Sequence, residues 1–137
     1  MTEPTWCIIC GRAASEHHHI IPRGHIGGKR AEDWSLNLAP LCKACHQRRH
    51  VEGGEPEELW ARMPYRLGDI MVMAALGAHP SATRYPLVRR RAEWARGLLD
   101  PQVLADLDYL LPVIEVAGTR AFRALAWFTG EEPPGWI

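Results

Sequence analysis

Two cysteine pairs with the same internal spacing, Cys7-x-x-Cys10 and Cys42-x-x-Cys45, are separated by 31 residues near the start of the chain. A two-residue gap lets one tight turn aim both sulfurs at a single ion. Two such turns complete the tetrahedral all-sulfur set of a structural zinc site. The alternatives are a redox pair or two unrelated thiol pairs. Zinc has a physical motive here. A segment of about fifty residues buries too little apolar surface to fold securely alone, and a structural zinc site can supply on the order of 10 kcal/mol.

Six of the seven histidines lie in the same first 50 residues. His17-His18-His19 runs into Ile20-Ile21-Pro22, and Cys45 is followed by His46 and His50. Asn37 is the only asparagine in the chain. His46 and His50 are four apart, so on a helix they share a face and can grip one ion. His46 directly follows a zinc cysteine, which makes a second metal site beside the first geometrically reasonable. Neighbouring side chains of a regular strand point to opposite faces. For His18 and His19 to serve one site, their stretch must be twisted or terminal. His17 leaves the register open by one residue; the pair directly before Ile20-Ile21-Pro22 is preferred, with His17 solvent-facing or behind the ligands. Imidazoles without a carboxylate suit Zn, Ni, Co or Mn better than Mg.

Taken together, Cys-x-x-Cys, Glu-His-His-His-Ile-Ile-Pro and Asn-Leu-Ala-Pro-Leu-Cys-x-x-Cys-His-x-x-x-His resemble an HNH endonuclease with the ββα-metal fold, of the variety with a four-cysteine zinc knuckle. The resemblance covers residues 7–50. It implies that His19 is the general base that takes a proton from the attacking water, a task suited to a group with a reference pKa near 6.5. It implies that His18, His46 and His50 hold a catalytic divalent metal (Mn2+, Mg2+, Ni2+ or Zn2+), His50 being alternatively a substrate contact. Asn37 matches the asparagine that holds the loop and helps orient the base. Cys7, Cys10, Cys42 and Cys45 match the structural Zn2+ ligands. The implied reaction is hydrolysis of DNA phosphodiester bonds to 5′-phosphate and 3′-hydroxyl ends, one strand per active site.

The elements that must position these groups read as follows. His18 to Pro22 is a short strand stopped by proline. Residues 23–33, with three glycines, read as a loop. Leu36 to Leu41 reads as a second strand, and Lys43 to Val51 as a helix closed by Gly53-Gly54. The first unit is thus residues 1–54, an α+β ββα-metal module. Residues 55–137 read as a small all-helical region. Pro56 and Pro101 suit first helical positions. Gly68 to Leu76 and Leu87 to Leu99 have helical character, and Val103, Leu107, Leu110 and Ile114 follow at helical spacing. Pro112 should kink or break that run, leaving a last helix from Val113 to Phe128 ended by Gly130 and Pro133-Pro134. Trp60, Trp94, Trp127 and Phe128 read as core or interface residues.

The balance of 16 Lys+Arg against 16 Asp+Glu excludes a polycationic tail and an acidic disordered chain. Residues 1–54 carry 7 basic and 5 acidic side chains, a formal +2, against −2 for the remainder. Arg23, Lys29 and Arg30 lie in the loop that would pass the active site, and Arg48 and Arg49 flank the metal helix. These five are the candidate nucleic-acid contacts. Loop residue His25 reads as solvated. Arg89, Arg90, Arg91 and Arg96 could form a second stripe on DNA, but a solvated helix face is the preferred reading. The longest apolar candidate, Ile70 to Ala78, is far short of the roughly 18 residues of a membrane span. With no signal-like start, the chain is expected in a reducing cytoplasm, its cysteines unpaired.

The partner expected is DNA, with RNA not excluded. The helical region would supply dimerisation, DNA affinity or docking to a partner. By analogy, a short protein of this kind would suit a phage or mobile element, in the host cytoplasm and with a packaging partner. The competing function is a noncatalytic, zinc-stabilised nucleic-acid-binding or adaptor protein.

Overall fold

The computed structural model describes residues 5–117 and 119–127. The first element is a knuckle. The Cys7 N–H donates to the Arg12 carbonyl at 2.7 Å, and the Gly11 N–H to the Cys7 carbonyl at 2.9 Å. Gly11 takes a left-handed φ of 78°, which a side chain would resist. Strand β1 (Glu16–His19) then pairs antiparallel with β2 (Leu38–Leu41), His18 opposite Ala39 and His19 opposite Leu38. Between them lie α1 (Lys29–Glu32) and a 3₁₀ turn (Ser35–Asn37). Helix α2 (Lys43–Glu52) follows at once. Its N-cap is Cys42, whose sulfur accepts from the Cys45 N–H at 3.4 Å, so a cysteine of the knuckle also starts the helix. Gly53 ends the helix by donating its N–H to the Arg49 carbonyl.

Three local expectations change. The first strand is Glu16–His19 and not His18–Pro22, because its ladder with β2 ends at the pair His19–Leu38, after which the chain bends ahead of Pro22. The span 23–33 is not loop throughout, because Gly27 and Gly28 turn the chain into the single helical turn α1. The second strand is shorter than Leu36–Leu41, because Asn37 closes a tight turn, its N–H donating to the Trp34 carbonyl at 2.7 Å.

The remainder is helical: α3 (Pro56–Trp60), α4 (Leu67–Leu76), a 3₁₀ turn (Pro80–Arg84), α5 (Pro86–Leu98), α6 (Pro101–Ala117) and α7 (Thr119–Ala126). Prolines open α3, α5 and α6, where the missing N–H costs nothing. Of the kink or break expected at Pro112, no break occurs, and no helix starts at Val113: Pro112 lies inside α6, which runs on to Ala117. It lies on the exposed side of the helix, where the Asp108 carbonyl it leaves unbonded can be hydrated. The chain instead starts a new helix at Thr119. The expected end at Phe128, Gly130 and Pro133-Pro134 lies outside the described residues. No helix among the described residues is long and apolar enough to cross a membrane.

Apolar packing runs across residue 54. Trp34 and Leu36 are buried with Val72, Met73, Leu76, Leu107 and Phe122. Ile20, Ile21, Ile26 and Ala39 are buried with Leu59, Trp60 and Val88. Each large side chain so buried stabilises the fold by roughly 1.5–3 kcal/mol. Trp94 packs against Trp60, ring centroids 5.7 Å apart. Trp127 is 62 % exposed and so is not a core residue, which leaves the interface half of its reading, and Phe128 lies outside the described residues.

The arginines of α5 are not a uniformly solvated face. Arg90 is paired with Glu57 and with Glu55, and Arg96 with Asp108 at 2.7 Å. Arg91 is fully buried. The three-residue run hid this, because successive helical side chains are rotated by about 100° and one of three can face the core.

Candidate metal centres

The four cysteine sulfurs lie within 4.8 Å of one another, Cys10 and Cys42 at 3.6 Å. Sulfurs about 2.3 Å from one tetrahedral ion would be roughly 3.8 Å apart. The cluster is therefore compatible with a structural zinc. Cys7 and Cys45 are buried beside Leu41, while Cys10 is at the surface. Burial alone would push the Cys7 thiol up, but the surrounding amides of Cys10, Cys42 and Ile9 outweigh it and bring it to about 6. A thiolate is thus favoured before any metal arrives.

The second cluster joins the strand to the helix. One ring nitrogen each of His18, His46 and His50 fall within 4.8 Å of one another. His46 Nε2 and His50 Nε2 are 3.0 Å apart, near the roughly 3.3 Å of two nitrogens about 2.0–2.1 Å from one tetrahedral ion. Ring centroids of His18 lie 5.2 Å from His46 and 5.6 Å from His50. Burial, and then the neighbouring His46 and His50, push His18 down to about 4, so its ring is neutral at pH 7, the form in which an imidazole can hold a metal. The Glu16 carboxylate bonds Nδ1 of His46. That bond fixes the ring and leaves Nε2 facing the cluster, as carboxylates behind metal-binding histidines do. The donor set fits a divalent transition ion.

His19 lines the same cleft of ≈ 510 Å³, with His17, His18, Pro22, Arg23, His46 and His50. The short strand thus resolves the alternation problem: near its end, consecutive residues reach one hollow. His17 is exposed there and stands outside the three-nitrogen cluster. His19 Nε2 is 2.9 Å from Asp33 Oδ1. The hydrogen bond from His19 holds the Asp33 carboxyl below its usual range, so it stays ionised. A carboxylate can only accept, which places the proton on Nε2 and leaves Nδ1 as the basic nitrogen. Asn37 is fully buried behind the cleft. Its Oδ1 accepts from the Ile21 N–H at 2.8 Å, and its Nδ2 donates to the carbonyls of Ile21 at 3.1 Å and Glu32 at 3.0 Å.

Residues 7–52 match the family model described as HNH endonuclease. This segment is similar to HNH endonuclease domains. The match takes in both cysteine pairs, the histidine triplet, Asn37, His46 and His50. No curated protein and no solved structure gives a significant match to the chain.

Of the basic residues singled out in the sequence of the HNH segment, Arg23 reaches the cleft wall. Lys29, Arg30 and Arg48 are exposed. Arg49 turns toward α3, donating to Glu58 at 2.9 Å and to the Glu55 carbonyl at 2.6 Å. Sequence reasoning missed Glu16 and Asp33. Glu16 immediately precedes the histidine triplet and Asp33 lies four residues before Asn37, but only the fold shows which imidazole each one meets.

Proposed function

We propose that this protein is a metal-dependent endonuclease that hydrolyses DNA phosphodiester bonds and nicks one strand per active site. One observation carries this reading: His19 shares a cleft with the three-nitrogen cluster of His18, His46 and His50. A divalent ion held by those three imidazoles would stabilise the charge that develops on the scissile phosphate and the leaving 3′-oxygen.

The chain's own groups do the rest. His19, with Asp33 on Nε2, presents Nδ1 to take the proton of the attacking water. Asp33 steadies the cation this creates. Asn37 fixes Ile21 and Glu32, and so sets where the strand end and the Asp33 loop lie relative to one another. Arg23 at the cleft wall supplies charge for a phosphate backbone, and the exposed Lys29, Arg30 and Arg48 are further contacts for it, while Arg49 would have to leave Glu58 to join them. Residues 1–54 carry the chemistry. Residues 55–137 support it and offer a surface for a second copy, a packaging partner or DNA. Unpaired cysteines fit a reducing cytoplasm, including that of a host cell if a phage encodes the chain.

The test is supercoiled plasmid with Mn2+, Mg2+, Ni2+ or Zn2+, comparing the natural chain with His19→Ala. Relaxed circles should accumulate with the first and not the second. Equal cleavage by both removes His19 as the base. No cleavage with any ion, alongside one zinc per chain by native mass spectrometry, leaves the adaptor reading instead.

A further inference from the structure

We propose that Arg91, from the helical region, is a positioning residue for the nuclease cleft, acting through Trp34 on the Asp33 loop; this rests on the nuclease reading of that cleft. Residues 33–37 have two sides. Asp33 and Asn37 face the strand, bonding His19 and Ile21. Trp34 and Leu36, between them, are buried among the helices. The side that handles protons is thus seated by contacts on the other side.

Two contacts seat it. The Tyr65 hydroxyl donates to the Leu36 carbonyl at 2.6 Å. The Arg91 guanidinium lies over the Trp34 ring, its central carbon 5.6 Å from the ring centroid. Arg91 is fully buried, and none of its three side-chain nitrogens has a hydrogen-bond partner among the described residues. The Trp34 indole N–H has none either. The orientation of the indole therefore rests on packing and on the cation above it. A buried cation without hydrogen bonds costs stability, and an apolar side chain of similar length would relieve that cost. Stability and positioning should consequently move in opposite directions when Arg91 is replaced, which separates this role from an ordinary structural one.

The experiment compares full-length Arg91→Met, Arg91→Lys and the natural chain. Arg91→Met should melt no lower than the natural chain and retain both metals. Its nicking kcat should fall about 10- to 100-fold with KM little changed, since loss of alignment acts on the chemical step. Arg91→Lys keeps a cation over Trp34 and should recover most of that loss. Hydrogen–deuterium exchange provides a readout independent of cleavage: peptides covering 32–37 should exchange faster in Arg91→Met while those of α4 and α6 do not. Faster exchange confined to 32–37 supports the proposal even if the natural chain cuts nothing, in which case only the nuclease reading fails. Unchanged exchange at 32–37, or a wild-type kcat in Arg91→Met, overturns it.

Discussion

Asn37 holds Ile21 by both of its backbone polar groups, accepting from the N–H at 2.8 Å and donating to the carbonyl at 3.1 Å. A third bond ties the same amide to the Glu32 carbonyl. A buried primary amide is the one side chain that can satisfy a donor and two acceptors at once in this geometry. Asn37→Asp loses the donors and turns a carboxylate toward two carbonyl oxygens. It should destabilise the zinc-loaded protein by about 3 kcal/mol or more. Urea unfolding measures this, and a change below about 1 kcal/mol would mean the amide is not what joins the loop to the strand.

Glu16 on Nδ1 of His46 leads to a prediction about metal rather than stability. Glu16→Gln should weaken cation binding at the imidazoles by about 10- to 100-fold, the usual effect of losing the carboxylate behind a metal-binding histidine. The sulfur-bound zinc should remain. Titration calorimetry with Mn2+ or Ni2+ on the zinc-loaded protein reads both. Unaltered affinity would show that Glu16 does not tune the ring.

Cys42 has two tasks, as a member of the sulfur cluster and as the cap of α2. Serine can replace the cap but is a poor ligand for zinc. Cys42→Ser should therefore lose zinc and lose the cooperative fold of the first fifty or so residues. Removing zinc from the natural chain with a chelator should reproduce the effect. Near-native circular dichroism after complete zinc loss would contradict it.

His79 sets a pH dependence far from either cluster. It is buried, its ring edge-on to Phe122 with centroids 4.7 Å apart, and its Nδ1 accepts from the Ser81 N–H at 3.1 Å. Burial lowers its affinity for a proton below the ordinary value of 6.5. Above that value neither the folded nor the unfolded chain carries the proton. As pH falls through it, the unfolded chain binds the proton first, so stability drops until the folded value is also passed. Melting curves from pH 7 to 5 should fall more steeply for the natural chain than for His79→Gln. Parallel curves would assign the acid sensitivity elsewhere.

Much of the first 54 residues could be read directly because its signals are local. Identical cysteine spacings predict one cluster, and a four-residue separation puts His46 and His50 on one helix face. Proline at the starts of α3 and α6 needs only the rule about missing donors. What could not be read depends on distant packing. Asp33 meets His19 because α1 and the 3₁₀ turn double the chain back beside β1. Glu16 meets His46 because α2 lies against that strand. Arg91 is buried against Trp34, more than fifty residues away in the chain, while its neighbours Arg89 and Arg90 look no different in sequence. Pro112 is tolerated because of which side of α6 it occupies, and periodicity around a proline does not settle that.

Trp34 and Leu36 are enclosed by side chains as far along the chain as Leu107 and Phe122. A ribosome that has released only residues 1–54 has already delivered every sulfur and every imidazole of the two clusters. It has delivered none of the helices that close over those two side chains. During synthesis, the stretch bearing Asp33 and Asn37 is therefore made before the helices that seat it and is among the last to be finished.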